Sequence, residues 1–161
     1  KGLTLSSFVL QAMLGAVAEQ ANRLLEMVHG GRYRLSIREG GVQNKLDGLE
    51  LSVQDAYSGG ERAVRTLSGG EKFLVSLALS LGLSSVVRAQ AGGVRMEAMF
   101  IDEGFGTLDP RSIQDALDVL SCIGSGGQVG IISHVDALRE TIAQGIEVKK
   151  GEHGSRIVQV V

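Results

Sequence analysis

Two short apolar runs constrain the fold of this chain more than any other feature. They are Ala98-Met99-Phe100-Ile101 and Val129-Gly130-Ile131-Ile132. Neither alternates apolar with polar residues. Each therefore predicts a strand covered on both faces, as in the parallel strands of an α/β sheet. The first strand is expected over Val94 to Ile101. Between the runs, Asp109-Pro110 opens a helix reaching to about Ile123, with Asp109 as N-cap and proline at the first helical position. Gly124 to Gly127 reads as a loop. Ser133 caps a short helix to about Ala143, with Ser133-x-x-Asp136 as a capping box. Ile146 to Lys149 and Arg156 to Val161 form a hairpin. From residue 71 the order is helix, strand, helix, strand, helix, strand, strand. The expected fold class is α/β, a mixed sheet with parallel central strands flanked by helices.

The first part of the chain is organised differently. Residues 3 to 28 predict one helix, with Leu3, Leu10, Val17 and Leu24 in one row and Leu14, Ala21 and Val28 in a second. That is the seam of a coiled coil, and equally the buried stripe of a helix packed on its own domain. Gly30-Gly31 ends it. Tyr33, Leu35 and Ile37 alternate with polar residues, Gly40-Gly41 turns the chain, and Leu49, Leu51 and Val53 alternate again. An antiparallel pair is expected there. Residues 58 to 70 read as a glycine-rich loop, and 71 to 90 as a strongly apolar, largely buried helix.

Composition limits the function classes. At 161 residues the chain is long enough for one domain with a real core. The balance of 16 basic and 18 acidic residues gives no global field for nucleic acid or an acidic membrane. Arg32, Arg34 and Arg38 could face DNA, or be solvated strand residues. Tryptophan is absent and aromatics are scarce, so no stacking surface for single strands is visible. Cys122 is alone, which rules out an internal disulfide and makes a reducing cytoplasm the default. No uninterrupted apolar run reaches the ~18 residues of a membrane span. The chain begins at Lys1, and a piece of a longer protein is the simplest expectation.

Four short segments carry the chemistry. Ser68-Gly69-Gly70-Glu71 fits a capping box at the start of the apolar helix. The same geometry can dock a phosphate on exposed amides and a hydroxyl. A second copy, Ser58-Gly59-Gly60-Glu61, is followed by Arg62-Ala63-Val64-Arg65, which starts no buried helix, and serves as a control. Asp102-Glu103 ends an apolar strand. Two adjacent carboxylates there are costly unless hydrogen-bonded or metal-bound. Ligands of open α/β sheets sit beyond the carboxyl ends of the strands. Asp102 is thus a candidate Mg²⁺ ligand through water, and Glu103 a candidate base for an attacking water. The alternative is a strand end with solvated acids. His134, at the end of the next strand, could donate a hydrogen bond to a γ-phosphate or to that water, or be an ordinary first-turn histidine. Asp109 alone is an N-cap.

Other chemistries have little support. No H-E-x-x-H or cysteine pair suggests zinc, and Gly124-Ser125-Gly126 lacks the strand context of a nucleophile elbow. The phosphate-cradling G-x-x-x-x-G-K-[ST] is not on this chain, so the chain alone is expected to bind ATP weakly or not at all.

Taken in order, these segments resemble ABC-type ATPases. Leu67-Ser68-Gly69-Gly70-Glu71 resembles their signature motif and Met99-Phe100-Ile101-Asp102-Glu103 their Walker B strand. Gly106-Thr107-Leu108-Asp109 resembles the D-loop, and Ser133-His134 the switch histidine. The wording Asp102-Glu103-Gly104-Phe105-Gly106-Thr107-Leu108-Asp109 and Ile132-Ser133-His134-Val135 is similar to the SbcC family of SMC-like ATPases, the partners of a bacterial exonuclease. The resemblance covers nearly the whole chain. It implies the C-terminal lobe of an ATPase head (residues 31–161), entered by the returning end of a coiled-coil arm (residues 1–30). It further implies that two heads sandwich ATP and Mg²⁺. Ser68, Gly69, Gly70 and Glu71 would face ATP of the other head, and Asp109 would cross the interface. Asp102, Glu103 and His134 would act on ATP of their own head. Lys72 stands where relatives carry a basic residue that relays ATP binding to the coiled coil. Implied partners are the P-loop half of the same head, a second head, an SbcD-like nuclease and DNA, with no membrane, in a bacterial cytoplasm near the nucleoid. Two alternatives share the motifs. One is a chromosome-organising SMC tether. The other is a transporter ATP-binding subunit, against which the heptad helix argues.

Overall fold

The computed structural model describes residues 5–39, 49–92, 97–122, 128–152 and 154–160. Helix α1 spans Leu5–His29, β1 Tyr33–Glu39, β2 Leu49–Asp55 and β3 Gly60–Ala63. Helix α2 spans Gly69–Gln90, β4 Ala98–Asp102, α3 Pro110–Ser121 and β5 Gln128–Ile132. Helix α4 (Asp136–Thr141) and strands β6 (Gly145–Gly151) and β7 (Gly154–Val160) follow. The first three strands form an antiparallel sheet in the order β1-β2-β3, β4 and β5 pair in parallel, and β6 and β7 form the expected hairpin.

The core sits where α1, α2, α3 and the antiparallel sheet meet. The second half of α1 buries Val17, Ala18, Ala21 and Leu25. Full burial of a leucine such as Leu25 contributes about 2 kcal/mol. The two long helices approach closely. A Cβ on Gly82 of α2 would stand 2.7 Å from the Val17 carbonyl oxygen and 3.0 Å from the Ala21 nitrogen, so only glycine fits there. The first half of α1 is bare, with Leu5, Phe8 and Leu10 exposed. The reading of the heptad rows as a stripe packed on its own domain therefore describes the second half of the helix. Asn22 of α1 fastens the sheet: its carboxamide donates to the Leu35 carbonyl (3.0 Å) and accepts from the Leu35 N–H (2.7 Å). This satisfies backbone groups on the outer edge of β1 that a fourth strand would otherwise fill.

Several expectations need correction. Residues 58 to 70 are not one loop: β3 pairs with β2, and a 3₁₀ turn covers Val64–Thr66. The N-cap of α4 is Val135, with no side-chain cap, so the Ser133–Asp136 box does not form. Ser133 Oγ instead accepts from the Val135 N–H at 3.3 Å, a local turn that competes with the box. The apolar run of β4 is covered on one face only. Phe100 is 73% exposed, and its ring lies over Gly130, where a Cβ would come within 2.7 Å of it. Helix α2 is long and apolar enough, by composition alone, to cross a membrane, but Leu74, Val75, Leu77, Ala78 and Leu81 are buried in this core. Its Leu83 and Val87 remain exposed. The Gly40-Gly41 turn, the Val94 start of β4 and the Gly124–Gly127 loop lie outside the described residues.

Candidate functional site

Helix α2 starts as its sequence dictates. Ser68, in extended backbone, accepts from the Glu71 N–H at 3.3 Å, and Glu71 Oε2 accepts from the Ser68 N–H at 2.8 Å. The cap uses the Ser68 oxygen as acceptor of the Glu71 N–H, and the hydroxyl also faces the Glu71 carboxylate, from which it can turn to another acceptor. The cap does not use the amides of Gly69 and Gly70. Gly70 is required by a close neighbour, because a Cβ there would stand 2.5 Å from Ser112 Oγ and 3.8 Å from Asp109 Oδ2. Asp109 caps α3, accepting from the Arg111 and Ser112 N–H groups (3.0 and 3.1 Å) and the Ser112 hydroxyl (2.7 Å). The Ser112 hydroxyl, with the backbone amides, holds the Asp109 carboxyl below its usual pKa. The signature segment and Asp109 thus border one cleft of about 200 Å³, lined also by Arg32, Arg111 and Asp115.

A second cluster lies where β4 and β5 end. Glu103 Oε1 and His134 Nδ1 are 3.4 Å apart, on strands joined by the Glu103 N–H to Ile132 carbonyl hydrogen bond of 2.9 Å. Glu103 has φ 63°, the left-handed region, the one such non-glycine residue among those described. Its side chain is 61% exposed and that of His134 73%. Asp102 is exposed as well. The expected penalty of buried carboxylates therefore does not arise: water solvates them. The imidazole of His134 sits over Gly106, whose Cβ would be 3.4 Å from Cε1. Gly104 serves a different neighbour, since a Cβ there would fall 2.4 Å from the Phe73 ring. Phe73, in the first turn of α2, packs edge-on against buried Phe105, with ring centroids 4.9 Å apart. This aromatic pair braces the Glu103–Gly106 segment on the signature helix.

Sequence reasoning overlooked the layer beneath Glu71. Its Oε1 accepts from the Tyr33 hydroxyl (2.8 Å) and from Arg62 Nη2 (3.2 Å). The same Nη2 donates to Asp55 Oδ2 at 2.8 Å. Arg32 lies 3.4 Å from Asp55 Oδ1, with its guanidinium over the rings of Tyr33 and Tyr57. Asp55 is 4% exposed. The alternation Leu49, Leu51, Val53 continues in phase to Asp55, which was the available signal for a buried carboxylate. The control copy at Ser58 starts no helix, as expected, yet it delivers Arg62 to this layer. Lys72 is exposed, and its N–H closes the first helical turn onto the Ser68 carbonyl.

Burial works to raise the Glu71 pKa, but the Ser68 amide, the Tyr33 hydroxyl and Arg62 outweigh it and hold it at about 2. Burial likewise opposes ionisation of Asp55, and the Tyr57 amide, Arg32 and Arg62 still bring it below the usual range. Burial and the bond to Glu71 push the Tyr33 hydroxyl up. The ordinary Glu71 value is 4.5, so its contribution is complete above that pH and lost as pH falls toward about 2. The amount is on the order of 2–3 kcal/mol. Glu71→Gln is expected to flatten the acid limb of a urea-midpoint profile between about pH 5 and 2.5, leaving the slope of Asp55. A mutant limb parallel to wild type would contradict this.

A family model, SbcC/RAD50-like, Walker B motif, matches residues 42–122. The chain belongs to the SbcC/RAD50-like family. A relative from Staphylococcus aureus strain JH9, the SbcC component of nuclease SbcCD, is 47% identical over 156 residues, or 96% of this chain. The chain spans 15% of the length of that relative, and the strain Newman protein matches equally. Solved structures give the fold. One, from work on ATP-driven dimerization and DNA-stimulated activation of SMC ATPases, aligns over 96% of this chain and 89% of its own, with TM-score 0.73 at 17% identity. The SMC head domain from Thermotoga maritima aligns over 94% of this chain and 52% of its own, with TM-score 0.65 at 23% identity. This member of the SbcC/RAD50-like family therefore has the α/β fold of an SMC-type head, as expected from its motifs.

Proposed function

We propose that the chain is the C-terminal half of an ATP-hydrolysing head that governs a DNA-end- or hairpin-processing exonuclease. The observation that supports this best is the division of its polar groups into two clusters. Ser68–Glu71 and Asp109 share one cleft, while Glu103 and His134 meet at the strand ends. The first cluster suits a phosphate held by another head, and the second suits ATP held by its own.

The residues fit Mg²⁺–ATP by their chemistry. Gly69 leaves backbone exposed beside the Ser68 hydroxyl at a helix start. Among the described residues no group of three or more His, Cys, Asp or Glu side chains converges. Asp102 would thus supply one ligand of a metal whose other oxygens come from phosphate and water, as suits Mg²⁺. When bound, the ion neutralises phosphate charge and aligns the triphosphate. Glu103 takes the proton of the attacking water, and His134 orients that water or the phosphate it attacks. Ser68 donates its hydroxyl, and Gly69 and Gly70 their amides, to the γ-phosphate across the dimer, while Glu71 keeps the cap closed. Asp109 couples the two sites.

The bare apolar faces support the missing half. Parallel strands are normally covered on both sides, yet Phe100 and Ile132 are exposed, as are Ile146, Val148 and Ile157 of the hairpin. We assign these to the P-loop half of the same head. The chain alone should therefore hold ATP and Mg²⁺ weakly and turn over little. Residues 1–30 would be the returning end of the arm, whose exposed Leu5, Phe8 and Leu10 suit a partner helix and an SbcD-like nuclease. The setting is the bacterial cytoplasm, on nucleoid DNA. The SMC-like fold keeps a structural tether as the second reading. Co-purification of the full-length protein with a nuclease supports the first reading, and with a kleisin the second. ATP-independent nuclease activity in the purified complex would contradict the first.

A further inference from the structure

We infer that Arg62 is a positioning residue for the signature segment, acting through Glu71. The inference rests on the reading of Ser68 as a phosphate contact across the dimer.

The geometry carries it. Glu71 does two things at once: its Oε2 holds the Ser68 N–H and so fixes the hydroxyl, while its Oε1 is held from below. What holds it is anchored in turn. A single nitrogen, Arg62 Nη2, spans Glu71 Oε1 and Asp55 Oδ2. Asp55 is the buried end of β2 and pairs across the sheet with Tyr33, whose hydroxyl also binds Glu71. The capping box is thereby bolted to the antiparallel sheet instead of standing by itself. Arg32, which lies 3.4 Å from Asp55 Oδ1 and 3.8 Å from Glu71 Oε1, is a second and longer cationic contact to the same carboxylates and sits in the turn between α1 and β1. The sheet that positions Ser68 is therefore continuous with the helix that leaves the lobe.

The bridge uses little of the guanidinium. Its Nε is buried without a hydrogen-bond partner among the described residues. A lysine ammonium could take the place of the one bridging nitrogen and would remove the unsatisfied donor. Arg62 thus acts through one charged nitrogen within hydrogen-bond distance of both carboxylates, closer than Arg32, and not through its fork.

The test uses the full-length protein, measuring steady-state ATPase, nucleotide binding with a fluorescent ATP analogue, and ATP-driven head association by light scattering. For Arg62→Gln, kcat is expected to fall about 10-fold or more and association to weaken, while analogue binding to the P-loop stays within about twofold of wild type. Arg62→Lys should restore kcat to within about threefold. Loss of the fold alone would lower binding and kcat together and spare neither. If Arg62→Gln does not fold, Tyr33→Phe, which removes one hydroxyl, is expected to lower kcat about threefold at unchanged binding. Wild-type kcat in Arg62→Gln, or in Tyr33→Phe where that variant decides, overturns the inference alone. A wild-type protein that shows neither ATP turnover nor association overturns the reading of Ser68 along with it.

Discussion

Glu103→Gln in the full-length protein is expected to leave ATP binding intact and to lower turnover by about 10²–10⁴-fold, the usual contribution of a general base. The amide is nearly the same size as the carboxylate but cannot accept the proton. The geometry argues for this residue over its neighbour. Glu103 leaves the strand in a left-handed turn, anchored by its N–H on the Ile132 carbonyl, and its carboxylate reaches His134 at 3.4 Å. Asp102 still belongs to β4, in register with Ile132, and suits an ion better than a mobile water. Equilibrium binding and steady-state turnover are the measurements. Turnover equal to wild type removes Glu103 as the base.

The second large effect is expected at Ser68. Ser68→Arg should abolish ATP-driven association of heads while each head still binds nucleotide through its own P-loop. Part of the change is local: the helix loses a cap worth about 0.5–2 kcal/mol. The larger part is steric, since a long side chain enters the cleft shared with Gly70, Asp109 and Arg111. Ser68→Ala separates the two. It loses the cap and the hydroxyl without adding bulk, so it should weaken association and not eliminate it. ATP-dependent dimers of Ser68→Arg in light scattering would contradict a role across the dimer.

How much of this was legible depends on where each residue finds its partners. The parallel pair β4–β5 could be read because its apolar runs carry the signal themselves, and the α2 and α3 caps because their partners lie within three residues. Strand β3 could not. Its residues Glu61 and Arg62 are chosen by Ser36, Ser52, Asp55 and Glu71, distant in sequence and polar, so no hydrophobic period marks them. The exposure of Phe100 was misread for a related reason, since an apolar strand reports that it will be covered but not by which segment. Of the candidate site, the motif residues stand out by pattern. Their support by Phe73, Phe105 and Arg62 was not, because packing between a helix start and a distant loop has no local spacing.

The left-handed backbone at Glu103 sets stability against activity. A non-glycine residue held in that region costs on the order of 1–3 kcal/mol. A glycine there would avoid that strain and lose only an exposed, long contact to His134. The position that thermal selection would surrender first is the proposed base. Glu103→Gly is thus expected to melt at or above wild type while remaining inactive, and a lower melting temperature would show that no such conflict exists. Attempts to harden this head against heat by favouring glycine at left-handed positions would, at this residue, select a more durable protein that has stopped working.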